Sequence, residues 1–251
     1  MKLEVIRATN VNEISLGAYQ KFQEVCATSN DEEFISMKMI EIFCGIDLKD
    51  VIKIKLSSVA EMITHFSKLF STKNEFTHRF KIGTQEFGFI PSIEDISMGE
   101  YIDIVKYSSS WEEMHKAMAV MYRPIVKTKG NAYEIQEYSG SINYSDVMKF
   151  APCGIAIAAS VFFLDFRKRI NKGYPALFGE EDEQADENDF SESTQFSKRW
   201  GWYQSIYAIA KGNLERFDAV TELPLHQCLT YLTFEKQKLA VEVAQLKRQN
   251  R

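Results

Sequence analysis

Apolar residues recur every three or four positions over most of the chain, which is the period of helices with one buried face. The pattern predicts a helix over residues 14–25 and a second helix between the capping residues Asp31 and Gly45. A third helix is predicted over residues 57–70, with two serines as its cap. The N-terminal part of the chain is therefore predicted to be mainly helical.

Alternation of apolar and polar residues, which is typical of strands, is strongest from Arg79 to Ile90. This stretch turns around Gly83-Thr84-Gln85 and stops before Pro91, a residue that cannot donate a hydrogen bond to a neighbouring strand. We expect an antiparallel hairpin here. Two weaker patterns predict a short strand at Leu3–Ile6 and a strand with one buried face over residues 47–56, where a docked helix at the start is the alternative.

Two later stretches are predicted to lie in the interior. The helix expected over residues 155–170 is apolar nearly all round, which indicates burial on more than one side. A second helical stretch carries an aromatic stripe, and such a stripe is usually part of the core. Its members include Trp200, Tyr203 and Tyr207.

These elements predict an α+β fold that is mainly α-helical, with a small antiparallel β-hairpin or sheet and a heptad-patterned C-terminal helix. Residues 1–178 are expected to form the main domain. Residues 179–193 are expected to form an acidic, flexible loop, because eight carboxylates and no Lys or Arg fall between 180 and 192. Residues 194–251 are expected to pack on the main domain as a helical region, with the end either packed or protruding.

Residues 111–124 read as a short amphipathic helix that a proline ends. Met114, Met118 and Met121 fall on one stripe of it. Methionine repacks easily, so the stripe is a candidate for an adaptable partner-binding surface. The alternative, which we favour, is an interior helix whose methionines belong to the core.

Arg123 is a further candidate for a specific role. It precedes Pro124, which fixes the backbone and so aims the guanidinium group. We expect it to act either in partner binding or as a buried anchor for a carboxylate such as Glu100 or Asp103.

The final helix begins at Pro224 and carries a heptad repeat. One position of the repeat is leucine throughout, and Lys236 interrupts the other position, where it would weaken a dimer or specify its register. The repeat predicts either a surface for a partner helix or a second copy, or a first half that simply packs on the domain. The candidate partner-binding residues are Leu232, Leu239, Val243 and Leu246.

No constellation of catalytic or metal-binding residues is visible. The four cysteines are far apart and in apolar surroundings, which favours reduced, buried thiols over a zinc site or disulfides. His115 follows two glutamates but has no second histidine at the spacing of a helical zinc motif. We therefore predict no catalytic residues, no metal, no cofactor and no enzymatic activity.

Charge and hydropathy narrow the expected partners. The net charge of −5 comes from the acidic segment, since without it 30 Lys and Arg face 27 Asp and Glu. No basic cluster is interleaved with aromatic residues, so nucleic-acid binding is not predicted. The longest uncharged apolar run, residues 151–164, is shorter than the ~20 residues that span a bilayer. A cytoplasmic chain without membrane contact is predicted.

The order of several motifs resembles a group of tailed-bacteriophage proteins encoded among tail and baseplate genes. The motifs are FGFIPSIEDISMGEYIDI, WEEMHKAMAVMYRPI, YEIQEYSG, a small-residue apolar helix ending in FFL, and WGWYQSIYAIAKGNLERFDAVTELPLHQCLTYL. The likeness covers roughly Phe76 to Leu232, and its most specific pieces are GEYIDI and MYRPI.

The resemblance implies a tail assembly chaperone or a small virion component. A chaperone would bind a tail or baseplate protein in the host cytoplasm until assembly, whereas a permanent subunit of the tail, hub or neck would remain in the virion. An enzyme without a recognisable motif is a distant third possibility. Self-association through the C-terminal helix is a further expectation.

Overall fold

A computed structural model describes residues 7–140, 142–179 and 199–249. The predicted strand Leu3–Ile6 and the acidic segment 180–192 lie outside these residues. Within them the fold is the predicted one: mainly helical α+β, with a small antiparallel sheet and a long C-terminal helix.

The chain divides into two compact units. The first unit comprises Met1–Pro91 and Ile104–Phe162, and the second comprises Ser92–Asp103 and Phe163–Arg251. Sequence periodicity could not reveal this division, because residues 92–103 join a unit that is otherwise formed by the C-terminal part of the chain.

In the described part of the first unit, a 3-10 turn at Val11–Glu13 is followed by four helices: α1 (Leu16–Thr28), α2 (Glu32–Cys44), α3 (Leu48–Val51) and α4 (Leu56–Phe70). The predicted signals of α2 are confirmed. The Asp31 carboxylate accepts hydrogen bonds from two backbone N–H groups of the first turn, and Gly45 ends the helix with φ +64°. Such a left-handed conformation favours glycine.

The strand predicted over residues 47–56 is wrong. The segment forms the short helix α3, so the alternative of a helix at its start is the correct one. Val51 is buried in a cluster with Ile40 and Met62, whereas Ile52 and Leu56 are exposed. The alternation of apolar and polar residues therefore did not identify the buried side of this segment. The buried residue is Val51, which lies on the opposite side of the predicted strand from Ile52 and Leu56.

Within the described residues, the sheet has four antiparallel strands in the order β1-β2-β3-β4. They are β1 (Arg79–Ile82), β2 (Gln85–Phe89), β3 (Tyr122–Lys129) and β4 (Ala132–Ile135). The predicted hairpin β1–β2 is confirmed, with Phe80 opposite Phe87 and Gly83 at φ +58° in its turn. The second hairpin, β3–β4, was not predicted.

The helix predicted over residues 111–124 is shorter than expected. A 3-10 turn at Trp111–Glu113, capped by Ser110, leads into α6 (Met114–Met121), and Tyr122 already belongs to β3. Two causes account for this end: Arg123 precedes a proline, which disfavours helical backbone, and Tyr122 pairs with Phe89 of β2.

The remaining helices include two that the chain division cuts, α5 (Met98–Tyr107) and α8 (Cys153–Gly173). The first unit also contains α7 (Ile142–Met148). The second unit contains α9 (Pro175–Phe178), α10 (Trp202–Ile209), α11 (Phe217–Glu222) and α12 (Leu225–Gln249). Short 3-10 turns lie at Ile93–Asp95 and Leu214–Arg216.

Candidate binding surface on the C-terminal helix

The first turns of α12 are fixed to the second unit. The Leu225 N–H donates to the Ile96 carbonyl at 2.8 Å, and Met98 N–H donates to the Leu223 carbonyl at 2.8 Å. Leu225, Cys228 and Leu229 are buried. Backbone pairing and apolar burial together anchor this end, since each buried leucine contributes about 1.5–3 kcal/mol.

The other half of α12 is exposed. Leu232 is half-buried, and every residue from Lys236 to Gln249 is exposed. Leu239 and Leu246 show 60% and 59% of their surface to solvent, and Val243 is also exposed. The heptad repeat thus continues from the packed half into a half whose apolar row is uncovered among the described residues.

A groove of about 640 Å³ lies at the junction of the two halves. Its apolar wall opposite α12 comes from Leu177 and Phe178 of α9 and from Trp202 and Ala208 of α10. Three leucines of the heptad repeat complete it: Leu229, Leu232 and Leu239. The groove and the exposed row therefore form one surface, which is apolar except at Lys236.

Charged residues of α12 border the groove. Glu235, Lys236, Lys238 and Glu242 line it. Lys238 and Glu242 lie 3.9 Å apart and are about half exposed, so their ion pair contributes little to stability. An apolar trough beside a charged helix edge is suited to bind an amphipathic helix.

The three methionines of the predicted stripe do not form a surface. Met114, Met118 and Met121 are fully or almost fully buried, as are their neighbours on every side of α6 except Lys116. The prediction of a partner-binding stripe is corrected accordingly, and the favoured alternative of an interior helix agrees with the burial. Helix α6 is a core helix because β3 and α7 cover it.

Arg123 is buried too, so it does not offer an exposed contact. Its backbone pairs with Gly88 of β2, and its guanidinium carbon lies 5.5 Å from the centre of the Tyr138 ring. A cation above an aromatic ring is a stabilising arrangement. Arg123 and the methionines belong to the first unit, whereas Leu232, Leu239, Val243 and Leu246 belong to the second.

Sequence reasoning missed a polar cluster in the first unit. The Gln20 side-chain nitrogen lies 2.7 Å from the Trp111 carbonyl oxygen, 2.9 Å from the Glu112 carbonyl oxygen and 2.9 Å from His115 Nδ1. The two N–H groups of the Gln20 amide match the two carbonyl oxygens as acceptors. Burial, with help from nearby lysines, lowers the pKa of His115.

This cluster borders a cleft of about 1020 Å³ lined mostly by α1 and the 3-10 turn before α6. Gln20 therefore ties the two walls of the cleft together. No spacing in the sequence joins Gln20 to His115, because they are far apart along the chain.

All four cysteines are free thiols. Cys153 and Cys228 are buried, as predicted, whereas Cys26 and Cys44 are only partly buried. Burial raises the pKa of Cys153 to about 12. Such a thiol is protonated at neutral pH and is a poor nucleophile. Within residues 7–140, 142–179 and 199–249, no group of three His, Cys, Asp or Glu could hold a metal ion.

The aromatic stripe predicted to lie in the core is exposed. Trp200, Tyr203 and Tyr207 all show a large part of their surface to solvent. The ring of Tyr203 contacts Trp200 and Phe217, at centroid distances of 5.5 and 5.4 Å. The rings therefore cover one another along the surface, while Ala210 on the inner side is buried.

Comparisons with known proteins add no relative, since the chain matches no family model, no curated protein and no solved structure. Among the described helices, none is long and apolar enough to cross a membrane.

Proposed function

We propose that this protein is a non-enzymatic assembly factor of a phage tail, which binds a tail or baseplate component in the manner of a chaperone. One observation carries the proposal: the exposed half of α12 continues an apolar groove at its base. An exposed apolar row that continues a groove is suited to bind a partner helix. The phage context comes from the resemblance of the motifs between Phe76 and Leu232.

The position of the exposed residues supports a binding role over a purely structural one for this half of the helix. Leu239, Val243 and Leu246 fall on the heptad row that is packed at Leu225 and Leu229. A row that stabilised only the fold would end where packing ends. Its continuation over two more heptads suits a helix that packs on a partner.

The test is to co-express the protein with each tail and baseplate protein of the same genome and to measure complex formation by size-exclusion chromatography. A chaperone forms a complex with at least one of them and is absent from purified virions. Presence in mature virions at a fixed copy number would instead identify a permanent tail subunit. If no tail or baseplate protein binds, the proposal is wrong.

A further inference from the structure

The edge of α12 that borders the groove carries a defined charge pattern. Glu235 and Glu242 are one heptad apart and both line the groove. Lys236 lies beside them on the heptad row itself, between Leu232 and Leu239. The opposite wall, from α9 and α10, contributes only uncharged residues. A helix that enters the groove therefore meets Glu235 and Glu242 along one edge, with Lys238 between them in sequence and 3.9 Å from Glu242. At the apolar seam it meets one ammonium group, that of Lys236.

A second copy of this chain fits the pattern poorly in the antiparallel orientation. Antiparallel helices face each other through equivalent edges, so Glu235 of one copy would lie near Glu242 of the other, twice in a symmetric pair. Like charges at such positions disfavour pairing. Lys236 would also face an apolar row with no carboxylate opposite it.

The parallel orientation is disfavoured for a geometric reason. Parallel helices pair along the row that starts at Leu225 and Leu229, but both residues are buried in their own unit. The body of each copy would occupy the space that the partner helix needs. Parallel pairing would also place Lys236 opposite its own copy.

We propose that the groove binds an amphipathic helix of a different protein, with basic residues seven positions apart along the edge that faces Glu235 and Glu242. This helix carries a carboxylate at the seam position opposite Lys236, and its other seam residues are apolar. The inference rests on the binding role proposed above and specifies the chemistry of the partner. Complementary charges select this partner, and the apolar wall supplies most of the contact.

Two synthetic heptad peptides serve as probes. The first has leucine at its seam except for one central glutamate, and lysine at both edge positions. The second reverses each charge. Like-charged edges keep each peptide from pairing with itself. Fluorescence anisotropy of the labelled peptides measures their binding to the full chain at low and at physiological salt.

The lysine-edged peptide should bind roughly tenfold or more tightly than its charge-reversed counterpart, since like charges across an interface penalise the wrong partner. The difference should shrink as salt is added. In the double variant Glu235→Lys with Glu242→Lys, the preference should reverse. The preference can reverse only if both carboxylates face the bound helix. A general attraction of a basic peptide to an acidic protein would not produce the reversal.

Leu239→Asp should weaken binding of both peptides, because it places a charge in the apolar trough. Val241→Asp is the matched control: Val241 is 56% exposed on the same stretch of helix but does not line the groove. It should leave binding unchanged. Circular dichroism checks that both variants fold. If Leu239→Asp does not fold, the double variant Glu235→Lys with Glu242→Lys still tests the proposal.

Equal affinity for the two peptides, or no binding of either, would overturn the proposal. So would equal weakening by Leu239→Asp and Val241→Asp. A dimer of the unmodified chain that Leu239→Asp dissociates in light scattering would assign the groove to a second copy. These results are separate from the phage function, which depends on complexes with tail proteins and on virion composition.

Discussion

Two leucines of the same helix should respond very differently to the same change. Leu229 has no exposed surface, whereas Leu239 is 60% exposed. Leu229→Ala removes buried methyl groups and leaves a cavity in the packed half of α12, so it should lower the free energy of unfolding by about 2–5 kcal/mol. Leu239→Ala should change it by less than about 0.5 kcal/mol, as is usual for surface substitutions.

Urea denaturation followed by circular dichroism measures both effects, since the midpoint shifts at constant slope when only stability changes. Both variants lose the same side-chain atoms and gain the same helix propensity, so the pair isolates burial. Comparable losses at the two positions would refute the reasoning and show that the distal half of α12 packs in solution. A small loss at Leu229 would show that the first turns are not anchored.

Three further results are expected. Burial, and then Lys149 and Lys116, lower the pKa of His115 in the folded protein. The unfolded chain therefore binds more protons, and the free energy of unfolding falls as the pH drops below about 6.5. Between pH 7 and 5 the His115→Gln variant should lose less stability than the unmodified protein, and parallel pH profiles would contradict this. Gly154→Ala should destabilise the protein by about 1–3 kcal/mol, because a Cβ there would lie 2.4 Å from Asn12 Oδ1, and an unchanged thermal midpoint would exclude the clash. Cys153 should react with a thiol reagent only on unfolding, and labelling in the native state as fast as in urea would show that it is accessible.

Local signals in the sequence predicted the parts of the fold that local chemistry decides. Asp31, Gly45 and Gly83 mark a helix start, a helix end and a turn, because capping and left-handed backbone depend on a few adjacent residues. The hairpin β3–β4 was missed although Gly130 and Asn131 are turn residues. Pro124, near the start of this hairpin, was interpreted only as the end of a helix. The strand β3 forms because it pairs with β2, and local sequence does not show that pairing.

Periodicity was less informative where tertiary packing decides burial. It identified the face of α12 but not the point where the covering body ends, which lies between Leu229 and Leu239. It also assigned Tyr203 to the core, although the side chain is 47% exposed. The groove could not be predicted, because it joins α12 to Phe178 and Trp202, which lie far away in sequence.

The exposed half of α12 also determines where proteases can act. Lys236, Lys238, Lys247 and Arg248 all lie in it, and a helix held mainly by its own backbone hydrogen bonds opens easily. Trypsin would therefore trim this half and leave the anchored turns with the body. A bound partner would close the cleavage sites, so the survival of the full-length chain under brief digestion reports occupancy directly. The same segment that makes contact would also decide how long an unpartnered copy lasts in a cell.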